Sequence, residues 1–356
     1  MCIFCRLRPA PAAVWHNGIM LIYAGIDEAG YGPMLGPLCV GMSVFAIQDA
    51  DPADGAPNLW ERLEDVVCTG ARDSKRRIAV ADSKKLKGSN QAKAHPLRHL
   101  ERGVLSFLSC REGRDSSEGH APPADDASLF GEVGTSLPTT VSTPWYQSMT
   151  SLPVAHEPEG LALEAARLGR GLSAAGIRVL GLRGECIDAG EFNRFLASGT
   201  GKAAINMDAA IRLVAAIRSI ATEFAPEEVP RIVCDRQGGR TRYREWLQDC
   251  FPEATIRILG ETPATSRYRL EDPQGAFVIS FETGSESKHL PVALASMTAK
   301  YLRELAMVRL NRFFTAHVPQ IRPTAGYVQD GRRFLDEIRS VMETESLDSG
   351  ELVRRS

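Results

Sequence analysis

Four acids stand out by where the sequence puts them. Asp27 and Glu28 close the short apolar run that begins at Leu21, Asp235 closes the run Arg231-Ile-Val-Cys, and Glu304 lies between Tyr301 and Val308 at the rim of an apolar helix face. Charged side chains are seldom placed at the edge of a core unless they are paired or bound to metal. Four carboxylates converging near a sheet repel one another when bare, and divalent cations resolve that repulsion. Hard oxygen ligands with no His or Cys at metal spacing favour Mg²⁺ or Mn²⁺. Two such ions roughly 3.5–4 Å apart perform in-line displacement on phosphate esters. Each acid alone has a plainer reading. An Asp at a strand end is a turn former or cap, and Glu304 can pair with Lys300 four residues earlier.

The elements that must carry these acids are legible as periodicities. Residues 21–27, 38–47, 177–182, 231–235, 255–259 and 277–281 read as strands. Helices are expected around Leu97–Leu105, over 204–221 with Ile205, Ala209, Leu213 and Ile217 on one face, over 241–250, over 291–314 and over 331–342. Strands first, then alternating helices and strands, imply an α/β domain with a mixed sheet and helices on its faces. One catalytic domain over 20–345 is expected, with loop insertions at about 48–80 and 110–160 and a tail at 346–356. Residues 1–19 read as a disordered extension or a mis-called start. The 110–160 stretch is rich in Ser, Thr, Pro, Gly and Asp, a composition read as loop or disorder, with Pro144-Trp145-Tyr146 as an island that docks on the body.

The segment Gly25-Ile-Asp-Glu-Ala-Gly-Tyr-Gly-Pro-Met-Leu-Gly-Pro37 closely resembles the opening signature of ribonuclease HII, the prokaryotic type 2 ribonuclease H. Asp82-Ser-Lys-Lys-Leu86 is similar to that family's DSKKL block. The helix ending near Ile220, followed by Ile232-Val-Cys-Asp235, is similar to the helix and strand carrying its third acid. Ala295-Ser-Met-Thr-Ala-Lys-Tyr-Leu-Arg-Glu304 resembles its ASxxAKxxRD helix, and Gly326-Tyr327 falls where it has a late tyrosine. These motifs keep the family's order over roughly residues 22–340.

The resemblance implies a ribonuclease H-like fold, with helices on both faces of a mixed central sheet and a C-terminal helical segment. It implies Asp27, Glu28, Asp235 and Glu304 as catalytic, metal-holding carboxylates, with Mg²⁺ or Mn²⁺, two ions per site, as cofactor. It implies Gly30, Tyr31, Gly32, Lys84, Lys85 and Tyr327 as substrate contacts. The glycines let backbone groups approach a sugar and read its 2′-hydroxyl, Tyr327 packs on the neighbouring deoxyribose, and the lysines meet phosphates. The activity implied is endonucleolytic hydrolysis of the RNA strand of RNA–DNA hybrids, or of the phosphodiester 5′ of a ribonucleotide embedded in duplex DNA. The chain departs from the pattern at Tyr31, where the family has Arg, at Glu304, where it has Asp, and after Asp235, where Arg-Gln-Gly-Gly stands. A weakly active or inactive paralogue that binds nucleic acid, or another nuclease on the same fold, are the alternatives.

Composition removes other classes. Lys plus Arg number 42 and Asp plus Glu 44 in 356 residues, a net charge of -2, which excludes a general polybasic binder but allows a local basic groove. Arg236, Arg240, Arg242, Arg244, Arg267 and Arg269 are its candidates. No window approaches 18 uninterrupted apolar residues, so no membrane partner is expected. Cys2 and Cys5 form a CxxC without a second pair to complete a zinc site, and scattered cysteines suit a reduced, cytoplasmic setting. A dinucleotide cofactor is not expected. The glycines after the first strand are spaced GxGxxxG, prolines interrupt the helix that should follow, and Asp27 and Glu28 would repel a pyrophosphate.

Overall fold

The computed structural model describes residues 19–51, 55–89, 93–114, 120–236 and 238–355; the extension expected over 1–19, with Cys2 and Cys5, lies almost wholly outside them. Nine strands occur among the described residues: β1 (Met20–Ala29), β2 (Leu38–Gln48), β3 (Val67–Cys68), β4 (Ile78–Ala79), β5 (Ile177–Ile187), β6 (Arg231–Asp235), β7 (Thr255–Glu261), β8 (Thr265–Asp272) and β9 (Gly275–Glu282). Seven of them make one sheet in the order β5-β2-β1-β6-β9-β8-β7, with β3 and β4 paired apart. β1, β2 and β5 run antiparallel, β6 lies parallel to β1 and β9 parallel to β6, and the β7–β8–β9 meander extends the far edge. This is the mixed sheet that the sequence implies. β8 escaped the sequence reading because its alternating Ser266, Tyr268 and Leu270 are interleaved with charged residues.

The two faces of the sheet bury separate cores. On one face lie α3 (Arg98–Ser109), α5 (Pro158–Ala174) and α9 (Leu290–His317), covering Leu21, Tyr23, Phe45 and Val233. On the other lie α6 (Ala189–Ala197), α7 (Lys202–Phe224) and α8 (Arg244–Cys250), covering Ile22, Ala24, Ile26, Ile232 and Cys234. The split follows from strand alternation, odd residues of β1 facing one layer and even residues the other. α9 rests directly on the backbone of β1 and β2. A Cβ on Gly25 would come 2.2 Å from Val292 N, and one on Gly41 2.3 Å from Ala295 O, so larger residues there would lift the helix off the sheet. A C-terminal helical segment, α10 (Val328–Glu337), α11 (Arg339–Thr344) and α12 (Ser349–Leu352), follows, and no described helix is long and apolar enough to cross a membrane.

Both stretches read as insertions are folded where described. Between β2 and β5 lie also α1 (Leu59–Arg62), α2 (Ser83–Leu86) and α4 (Asp126–Glu132). Leu59, Leu63, Val66 and Ile78 join the core. Of the loop or disorder expected for 110–160, the described residues 120–157 are chiefly loop around α4, tied down by a few buried charges. Arg309 of α9 donates through Nε and Nη2 to Asp126 at 2.7 and 2.5 Å, and through Nη1 to Tyr146 O at 2.6 Å. Buried Glu101 accepts from Val154 N, Ala155 N and the Tyr301 hydroxyl at 2.6–2.9 Å. Trp145 stacks on Phe314 at 6.2 Å, the docking expected of its tripeptide. Arg309→Met leaves Asp126 buried without its cation and is expected to cost about 3–5 kcal/mol. Limited proteolysis should then cut first within 120–155. A parental digestion pattern would show that the salt bridge does not hold the segment.

Candidate active site

Adjacent strand residues point to opposite faces, so Asp27 and Glu28 straddle the end of β1. Asp27 lies on the α9 side, where Ser296 stands near enough to lower its carboxyl; Glu28 lies on the α7 side, where Asn206 does the same. The backbone N–H of Glu28 also donates to Asp27 Oδ1 at 2.8 Å. The register pairs Ile26 with Cys234, which sets Asp235 beside Asp27 at the same end of the sheet. Ser285 fixes Asp235, donating to Oδ1 from its hydroxyl at 2.6 Å and its backbone N–H at 3.2 Å.

The electrostatics report the same grouping. Burial, then the charges of Glu28 and Asp235, push the Asp27 carboxyl well above the usual range. Burial and Asp235 push Glu28 up to about 7. Like charges in a partly desolvated site disfavour joint ionisation. A cation would relieve that, and serine, asparagine and carboxylate oxygens suit a hard one. Among the described residues no three acids are drawn into a finished ligand cage; these carboxylates stand within electrostatic reach of one another.

Glu304 does not join them. Its carboxylate is held by Lys300 at 2.7 Å and Lys87 at 3.5 Å, and it is not among the charges that perturb Asp27 or Glu28. Ser296, which lowers the Asp27 carboxyl, lies eight residues back along α9, about 12 Å at the helical rise. The i−4 ion pair is therefore the role this geometry gives Glu304. A different acid stands at the site. Glu286, in the 3₁₀ turn Ser285–Ser287 between β9 and α9, has Oε2 buried without a hydrogen-bond partner. Burial, then Asp235 and Asp82, raise its carboxyl. The sequence signal available was an acid one turn ahead of the Ala295–Glu304 helix. Asn206 also went unremarked, although it is a polar residue on the apolar face of α7.

The expected substrate contacts spread along one flank. Lys84 of α2 is exposed and lowers the carboxyls of Glu28 and Glu286, so it stands at the cluster's edge. Lys85 is exposed and lies 4.0 Å from Asp82. Gly30 takes φ +85°, and a Cβ there would meet Arg303 and Pro37 O, so its glycine serves the packing beneath the turn. Gly32 has nothing within 4 Å of an added Cβ, which leaves open space above it. Tyr31 is 38% and Tyr327 55% exposed. Gly326 O accepts from Met34 N and Leu35 N at 2.8 and 3.2 Å, which ties the Tyr327 segment to the turn. Four of the six candidate groove arginines have partners within the protein, although Arg242 and Arg267 stay exposed. Arg242, Arg267 and Arg269 face Glu261, Glu282 and Glu271, and Arg236 donates to the carbonyls of Thr262 and Pro263.

No family model matches the chain, and no curated protein does. Solved structures do match it loosely. The ribonuclease HII of Archaeoglobus fulgidus, solved in a complex with PCNA, is 16% identical with a TM-score of 0.37, the match covering 93% of each chain. Bst-RNase HIII in complex with Mn²⁺ is 15% identical with a TM-score of 0.39, over 94% of this chain and 66% of that one. Ribonuclease H2 of Pyrococcus horikoshii OT3 is 12% identical with a TM-score of 0.38, over 93% and 92%. At these identities and scores the likeness assigns no role to any residue.

Proposed function

We propose that the protein is a divalent-metal-dependent endonuclease of the ribonuclease H type, acting on RNA–DNA hybrids or on ribonucleotides embedded in duplex DNA. The observation that carries this reading is the meeting of Asp27, Glu28 and Asp235 at one end of two adjacent parallel strands, beside an open glycine turn. Glu286 adds a fourth acid with an oxygen to spare. These four would hold Mg²⁺ or Mn²⁺. When bound, such ions neutralise the acids and activate a water for attack on phosphorus. Ser285 holds the Asp235 carboxylate in a fixed orientation, and Ser296 and Asn206 stand beside Asp27 and Glu28, the kind of support a precise ligand set requires. Lys84 offers a charge to the incoming phosphate.

The test is cleavage of a labelled duplex with one embedded ribonucleotide, beside an all-DNA duplex and an RNA–DNA hybrid, in Mg²⁺, Mn²⁺ or EDTA. A cut 5′ of the ribonucleotide, or along the RNA strand of the hybrid, that needs metal is the expected result. Folded protein that cuts none of the three would overturn the reading.

A further inference from the structure

The turn from Ala29 to Leu38 contains no charged residue, yet three cations converge on it. Arg354 donates through Nη2 to Gly30 O at 2.6 Å and to Pro33 O, bracketing Tyr31 and Gly32 from below. Arg303 donates to Pro37 O at 2.5 Å and to Leu35 O at 2.9 Å. Lys202, on the first turn of α7, sets Nζ 4.8 Å from the centroid of the Tyr31 ring, inside cation–π range.

Among the described residues none of these three has a carboxylate partner in an ion pair, and their mutual repulsion is evident. Burial, then Arg303, pushes the Arg354 guanidinium down to about 9. Burial, then Arg354, lowers Lys202. Arg354 is 5% exposed, its Cζ lies 5.2 Å from the Phe192 ring centroid, and its Nε and Nη1 are buried without hydrogen-bond partners. Buried cations without acids are costly, and an anion above the turn would offset that cost. Lys202 is half-buried and Tyr31 exposed, so this anion would be met at the surface. Glu28 stands two residues before Gly30, so a nucleic-acid strand lying over the acids would bring its phosphates to this turn.

We propose that Lys202, seated on the Tyr31 ring and backed by Arg354, takes a backbone phosphodiester of the nucleic-acid strand bound at the Gly30–Pro33 turn. This rests on the nuclease reading above. Lys202 is the contact and Tyr31 its platform, while Arg354 is a positioning residue that holds the turn.

The experiment is fluorescence anisotropy of the full chain in EDTA with a labelled duplex carrying one ribonucleotide, titrated at several KCl concentrations. Lys202→Ala should raise Kd roughly 3–10-fold at low salt and flatten the log–log salt slope by about 0.9, the loss of one phosphate contact. Lys202→Arg should restore the slope. Tyr31→Phe should bind as the parent, whereas Tyr31→Ala should weaken binding and add little to Lys202→Ala. A Lys202→Ala slope equal to the parent's, with the parent binding and Lys84→Ala weakened, overturns this proposal and leaves the nuclease reading standing. A parent that binds no duplex either in EDTA or with Ca²⁺ supplied to neutralise the acids removes both.

Discussion

Asp27→Asn is expected to abolish metal-dependent cleavage and to melt higher than the parent in EDTA. The two effects have one cause. Asp27 is held against Glu28 and Asp235 with its carboxyl raised by burial and by their charges. Replacing it with an amide of the same shape removes a repelled charge from the metal-free protein and, on the function proposed above, a ligand from the metal-bound one. The rate should fall by roughly 10²–10³-fold or more, the scale of one preorganised charged group. The apparent melting temperature should rise by a few degrees, on the order of 1–2 kcal/mol.

The sign of the pH dependence follows from the same shifts. Glu28 is raised from an ordinary 4.5 to about 7. The folded state therefore binds the proton more tightly than the unfolded one. Metal-free protein should accordingly lose stability as pH rises from about 4.5 to about 7, and Asp27→Asn should flatten that slope. Circular dichroism melts at several pH values in EDTA check it. An Asp27→Asn variant that cuts at the parental rate would remove the site; one that melts lower would remove the repulsion.

Exchanging the fourth acid gives the second large effect. Glu286→Gln should lower cleavage by roughly 10–100-fold and weaken Mn²⁺ binding by calorimetry, because Glu286 sits beside Asp235 with a buried free oxygen. Glu304→Gln should cut within about threefold of the parent at a temperature where it is folded. It breaks half-buried pairs to Lys300 and Lys87, so its cost appears as about 1–2 kcal/mol of stability. The opposite pattern, an inert Glu304→Gln and an active Glu286→Gln, would return the fourth position to Glu304.

The legible part of the site was the part written in strands. Asp27, Glu28 and Asp235 end apolar runs, and strands that pair in parallel bring their ends together whatever lies between. Glu304 and Glu286 are both near one helix, and the spacing rule of a helix does not say which end of it meets the sheet edge. That depends on Gly25 and Gly41, which seat the first turns of α9 on β1 and β2. The 110–160 stretch misled for a related reason. Its few apolar residues predict little burial, but Arg309 and Glu101 reach it from afar in the sequence, and composition carries no record of such contacts.

The placement of Asp27 and Glu28 on opposite faces makes the catalytic end a gauge of the whole sandwich. Asp27 has Ser296 of α9 as its polar neighbour, and Glu28 has Asn206 of α7. The two helix layers therefore each set the surroundings of one of the two acids. A methylene added beneath either helix, too small to unfold the chain, would register first in the surroundings of the acid on that face.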